Sequence, residues 1–195
     1  MATTNKNKVR EIRALLPGID LITPEAWPAL AAPDETGRTF EANALQKAKY
    51  YAAATGELTV AEDSGLEIDA LDGGPGVESA RYGGADLPYP EKFARIYDAL
   101  RSSALAHRSF SEGARFVCAL ALVKGDRVLF QARGTIEGTI APAPRGAGGF
   151  GYDPIFYYPP HGCTLAEATE EQKSAVSHRG QAVRKLRAFL DREYV

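Results

Sequence analysis

Hydrophobic and polar positions along this chain fall into blocks whose period changes repeatedly. Val9, Ile12, Leu15 and Leu16 recur at helical spacing, with Lys6, Lys8, Arg10 and Arg13 among them, and Pro17-Gly18 ends that helix. Residues 19–38 are irregular, with three prolines and the acidic pair Asp34-Glu35. Thr39 is placed to cap a second helix over 40–55, which Gly56 stops. Two short strands, 59–61 and 66–69, flank Glu62-Asp63-Ser64-Gly65, and Gly73-Gly74-Pro75-Gly76 is a turn cluster leading into loop up to Pro90. Phe93, Ile96, Tyr97 and Leu100 share one face of a helix over 91–100. Residues 115–124 are apolar on both faces, as in a central strand. Gly125-Asp126 turns the chain into a strand over 127–133, and 134–140 reads as another short strand. A glycine-rich loop covers 145–153, and 154–158 reads as a strand held between prolines. The end is helical over 169–176 and, after a break at 177–180, over 181–193, where Val183, Leu186, Phe189 and Leu190 point inward. The pattern predicts one α/β or α+β domain with a mixed sheet and flanking helices, without repeats or linkers.

Composition narrows the picture only a little. With 195 residues, 45% hydrophobic and 25% charged, the chain can bury a substantial core. A net charge of −2 gives no bulk attraction to nucleic acid or to an anionic membrane. Cys118 and Cys163 are far apart and outside any CxxC pair, so neither a zinc site nor a disulfide framework is suggested. No apolar run reaches the roughly 18 residues of a membrane span, and no charged-then-apolar leader opens the chain, so a reducing cytoplasm is the expectation.

Candidate chemistry centres on TVAEDSGLEID, residues 59–69. Acids at the end of a buried strand, followed by a small residue and a glycine, sit where α/β proteins bind ligands. Glu62 and Asp63 point to opposite faces of an extended strand, so at most one enters a given site. Taken alone, the stretch reads first as a strand ending in a solvated acidic turn. Thr3-Thr4-Asn5 and Lys6-Asn7-Lys8 open a helix whose free amides and lysine charge suit an anion, against the plainer reading of a capped helix with a solvated basic turn. Gly146 to Gly151 formally matches GxGxxG, but a strand rather than a helix follows, which rejects dinucleotide binding. Phe150 and Tyr152 within those glycines could instead lie against a flat ligand. Ser177-His178-Arg179-Gly180 reads by itself as an exposed loop, and His107 and His161 receive no functional reading. No spacing supports a covalent nucleophile. Carboxylates with lysines fit a Mg²⁺–phosphate site better, because that hard cation takes one or two carboxylates plus substrate phosphates.

Five segments together resemble one family. TTNKNK at residues 3–8, ETGRTFEANALQKA at 35–48, AEDSGLEIDALDGGPGVESARYGG at 61–84, RGAGGFGYDPIF at 145–156 and AEATEEQKSAVSHRGQA at 166–182 are similar, in order and over nearly the whole chain, to the Ham1/RdgB-like inosine triphosphate pyrophosphatases. The resemblance implies an elongated two-lobed α/β fold with the site in the cleft, a homodimer and a Mg²⁺ requirement. It also implies hydrolysis of ITP, dITP and XTP to monophosphate and pyrophosphate. By position it implies Asp63 as general base and metal ligand, Glu35 as the second metal ligand, and Thr3, Thr4, Asn5, Lys6, Asn7 and Lys8 as the phosphate-binding segment. Lys47 and Lys173 are implied as further phosphate-side lysines and Ser64 as a wall of the site. Phe150, Gly151, Tyr152 and Asp153, with His178 and Arg179, are implied to hold the base. Three departures stand out: Met1-Ala2 replaces the usual longer apolar strand before the first motif, Glu62 stands where many relatives have a second aspartate, and Ala42 stands where an acid is often found beside Asn43. Two competing functions are a pyrophosphatase for other modified triphosphates, separated by a substrate panel, and a non-catalytic nucleotide-binding module. The joint presence of Lys8, Glu35, Lys47, Asp63 and Lys173 argues against the second.

Overall fold

The computed structural model describes residues 1–107 and 113–193. Its helices are α1 (Lys6–Leu15), α2 (Phe40–Thr55), α3 (Tyr89–His107), α4 (Glu170–Val176) and α5 (His178–Glu193). Its strands are β1 (Thr59–Ile68), β2 (Gly113–Lys124), β3 (Arg127–Ile140), β4 (Phe156–Tyr158) and β5 (Cys163–Thr164).

Local chemistry fixes the ends of these elements. Asn5 caps α1, its Oδ1 accepting the Asn7 and Lys8 amides at 3.0 and 3.3 Å. Thr39 Oγ1 accepts the Ala42 amide, and Gly56 ends α2 in the left-handed conformation at φ 72°. Ser177 caps α5 by accepting the Gly180 amide at 3.0 Å, so the break expected over 177–180 contracts to that one residue. The helix expected over 91–100 is longer at both ends. The strand expected over 154–158 loses its start to a single 3-10 turn at Asp153–Ile155, because Pro154 fixes a turn backbone there.

The five strands lie side by side in chain order, β1-β2-β3-β4-β5. The sheet is antiparallel, not mixed as expected. In its described registers Thr139 faces Tyr157 and Tyr157 faces Thr164. A two-residue turn joins β2 to β3 and a short 3-10 turn joins β4 to β5, leaving no room for the crossover that parallel pairing needs. Ala2 lies alongside this sheet, its amide donating to the Val60 carbonyl at 2.8 Å.

Two of the expected interruptions are absent. Residues 59–68 form one continuous strand in which Glu62 and Asp63 are both buried, so the solvated acidic turn is not there. Residues 127–140 are likewise one strand, with Gly134 inside it.

The chain divides into two compact units. The first comprises Met1–Ser64, Val117–Thr135 and Ser177–Val195. Its core joins Ile12 and Leu16 of α1 to Val60, Leu120 and Leu122 of the sheet and Val183 and Leu186 of α5. The second comprises Gly65–Phe116 and Ile136–Val176. Its core joins Leu66, Ile68, Phe116 and Ile136 to Phe93, Ile96 and Leu100 of α3, with Phe156 and Leu165. Among the described residues no helix is long and apolar enough to cross a membrane.

Candidate active site

The first unit gathers most of the charged residues singled out in the sequence. Lys8, in the first turn of α1, has no acid in that turn to neutralise it. It reaches instead to Glu62 in β1, with Nζ 2.5 Å from Oε1. Glu62 is 2% exposed and its Oε2 lies 3.4 Å from Arg179 Nη2 at the start of α5. Burial alone would push this carboxyl up, but Lys8 and Arg179 overcome that cost and hold it well below the carboxylate range. The Cys118 thiol of β2 donates to the same Oε2 at 3.4 Å, and burial holds it in the thiol form.

Asp63, the next residue, faces a different set of partners. Its Oδ2 accepts from Asn43 Nδ2 and its Oδ1 from the Ser64 amide, both at 3.0 Å. Burial and the field of Glu35 raise its pKa despite the Asn43 bond. Glu35 is held by Lys47, which also donates to the Glu62 carbonyl at 3.3 Å. Burial alone would lower the Lys47 pKa, but the bond to Glu35 and the nearby acids raise it, so Lys47 is an ammonium at neutral pH.

Asn43 organises this corner and was not singled out from the sequence. It is fully buried, its Oδ1 accepting the Gly37 amide at 2.7 Å while its Nδ2 serves Asp63. The segment before Gly37 is tied to α2 as well, because Gln46 Nε2 donates to the Asp34 carbonyl at 2.9 Å. A signal was present: Asn43 falls on the same buried stripe of α2 as Phe40, Ala44 and Ala48, where a polar side chain needs a partner.

Lys8, Lys47, Glu35 and Asp63 are thus brought into one electrostatic neighbourhood. Glu35 and Asp63 offer hard carboxylate oxygens, and Asp63 feels the charge of Glu35 enough to bind its proton more tightly. That donor set fits Mg²⁺, which accepts one or two carboxylates when phosphates complete its shell. Among the described residues no larger cluster of acids, histidines and cysteines presents an all-protein metal cage.

The remaining expected residues of this unit are distributed differently. Thr3 accepts the Asn5 amide and, with Thr4 and Lys6, lines a separate hollow of about 400 Å³ beside Arg10 and Arg13. His178 and Arg179 are buried rather than exposed. Arg179 sits among Glu11, Ser64 and Glu62, with Nη1 2.6 Å from Glu11 and Nη2 2.8 Å from the Ser64 hydroxyl. Two of these neighbours, Glu11 and Glu62, are acids, so the guanidinium is held among charges of its own unit. An apolar pocket of about 540 Å³ beside Met1, Leu21, Tyr51 and Leu58 includes none of the four charged residues named above.

In the second unit, Asp153 holds the glycine loop together. Its Oδ2 accepts both the Phe150 amide and Lys173 Nζ, each at 2.7 Å. A methyl group on Gly149 would come within 2.1 Å of that oxygen, so the loop closes around it. Lys173 Nζ also lies 4.6 Å from the Phe150 ring centroid. Tyr152 is buried, donating to the Ser79 carbonyl at 2.8 Å and meeting Tyr89 edge to face. Asp153 and Tyr152 therefore shape the loop, and the Phe150 amide is already spent. Asp153→Ala removes the acceptor of the Phe150 amide and of the buried Lys173 ammonium and is expected to cost about 2–3 kcal/mol, read from urea unfolding.

The Ham1 family's sequence profile matches residues 1–189. A dITP/XTP pyrophosphatase of an Exiguobacterium species is 47% identical over 192 residues, covering 97% of this chain and 95% of that protein. Among solved structures, a HAM1 protein from Coxiella burnetii superposes with a TM-score of 0.90 at 38% identity, covering 98% of this chain and 96% of the other. The Staphylococcus aureus Ham1 protein superposes with a TM-score of 0.86 at 36% identity, covering 98% and 97%. With matches that run end to end and a fold that superposes throughout, this chain belongs to the Ham1 family.

Proposed function

We propose that this chain hydrolyses non-standard purine nucleoside triphosphates (ITP, dITP and XTP) to the monophosphate and pyrophosphate, with Mg²⁺ bound by Glu35 and Asp63. The observation that carries the proposal is the joint placement of Lys8, Lys47, Glu35 and Asp63 in the first unit. The names carried by full-length relatives support the substrate class.

In this reading a water oxygen attacks phosphorus, the bond to the pyrophosphate group breaks, and the water's proton passes to Asp63. A carboxyl held in a buried position beside another acid takes a proton more readily than an exposed one. Each Asp63 oxygen already accepts one hydrogen bond and keeps a second lone pair, so the same group can bind a cation and receive a proton. The Lys8 and Lys47 ammonium groups neutralise charge that builds on the phosphate oxygens. Mg²⁺, when bound, supplies further charge neutralisation at those oxygens. The same family membership extends the proposal to a homodimer acting in the cytoplasm.

Pyrophosphate release from ITP, dITP, XTP, ATP and GTP, with Mg²⁺ and with EDTA, tests this reading. Metal-dependent release from the first three is the expected result. Release from every triphosphate keeps the phosphate chemistry and removes the selectivity. Silence across the panel, in a protein that unfolds cooperatively, overturns the proposal in favour of a binding module.

A further inference from the structure

Glu62 has no part in the reaction as written, yet it is buried and engaged by Lys8, Arg179 and the Cys118 thiol. It lies in the middle of β1, 2% exposed, and divides its oxygens between two cations from opposite ends of the chain. Oε1 meets Lys8, and Oε2 faces Arg179 and the Cys118 thiol. Arg179 in turn grips Glu11, three residues beyond Lys8 on the same face of α1. The first turns of α1 are thereby tied at two points, through one carboxylate and one guanidinium, to β1 and α5.

A charge here is not called for by stability. Buried ion pairs recover little more than their desolvation cost, and apolar replacements of similar volume often do as well. What a carboxylate does, and an apolar side chain cannot, is hold an ammonium at a fixed point. We propose that Glu62 is a positioning residue that sets the Lys8 amine for the substrate's phosphates by gripping it from the buried side. The inference rests on the reading of Lys8 as a phosphate-side cation.

A kinetic double-mutant cycle tests it, using kcat/KM for pyrophosphate release from dITP in the intact protein. The four proteins are the unaltered chain, Glu62→Gln, Lys8→Met and the double variant, with thermal unfolding of each measured in parallel. Glu62→Gln is expected to lower kcat/KM by about 10–100-fold when Lys8 is present. In the Lys8→Met background the same change is expected to cost no more than about 3-fold, because the group it positions is gone. If the two losses multiply, Glu62 acts independently of Lys8 and the proposal is overturned. No loss from Glu62→Gln alone overturns it equally. If Lys8→Met itself leaves kcat/KM unchanged, the fault lies in the proposed phosphate role of Lys8, a different failure. Should Glu62→Gln not fold, Glu62→Asp keeps the charge on a shorter arm and enters the same cycle. A loss confined to the Lys8 background supports positioning, and a multiplicative loss refutes it.

Discussion

Asp63→Asn is expected to release pyrophosphate from dITP about 10²–10⁴ times more slowly than the unaltered chain, the range removed with a positioned general base. The substitution is close to isosteric, so the fold survives it at a definite cost. Asp63 accepts on both oxygens, from Asn43 Nδ2 and from the Ser64 amide. Asparagine offers one acceptor, and Asn43 cannot turn over to supply the other because its own oxygen is held by the Gly37 amide. One of the two bonds is lost, at about 1–3 kcal/mol, while repulsion from Glu35 is relieved. Stopped assays for pyrophosphate, beside a thermal melt, separate the two effects. A variant that turns over at the original rate while melting near the original temperature removes Asp63 from the chemistry.

Gly134→Val is expected to destabilise the protein by upwards of about 4 kcal/mol, and Gly134→Ala by about 2–3 kcal/mol. The reason is a close approach, since the backbone at Gly134 does not need glycine's special φ range. A Cβ at this point of β3 would lie 2.0 Å from the His178 carbonyl oxygen and 2.9 Å from Gln181 Cβ. Neither strand nor helix can yield cheaply there. Gln181 bonds Thr135 through both its amide oxygen and its amide nitrogen, at 3.3 and 2.8 Å, pinning α5 to the strand. The start of α5 also carries Arg179 onto Glu11, Glu62 and Ser64, so a forced shift disturbs the charged cluster too. For a protein of this size about 4 kcal/mol lowers the melting temperature by roughly 8–16 °C. An unchanged melt for Gly134→Ala would mean that α5 rides on β3 more loosely than these distances indicate.

Gly134 also shows where sequence reading goes astray. A glycine inside a run of strand residues reads as an interruption, and so 127–140 is divided in two. The strand is unbroken, and the glycine answers to a helix that arrives more than forty residues later in the chain. No local pattern contains that information. The same holds for Glu62 and Asp63. Adjacent carboxylates read most simply as solvated, because the cost of burying them is visible locally and their counter-charges, Lys8, Lys47 and Arg179, are not. His178 and Arg179 are misjudged as exposed for the same reason. What the local sequence does carry is punctuation. Thr39 and Gly56 bracket α2 as expected, and the helical stripe of α1 faces the core through Ile12. Recognition of the family motifs supplies the remainder, because a motif brings together residues that periodicity leaves apart. Motif matching implies that Arg179 holds the base, but it says nothing of the contacts Arg179 makes with Glu11 and Glu62.

The first unit is assembled from three separate stretches of chain, the last of which is Ser177–Val195. During synthesis its earlier parts are therefore made long before its closing piece. Until α5 emerges, Ile12 and Leu16 lack Val183 and Leu186, and Glu62 has Lys8 but not Arg179. A half-neutralised carboxylate in a half-built core is no resting place for a nascent chain, so this unit completes its folding only once α5 has been made. Translation products that stop short of α5 are therefore expected to leave this unit unfolded, without the Val183 and Leu186 part of its core.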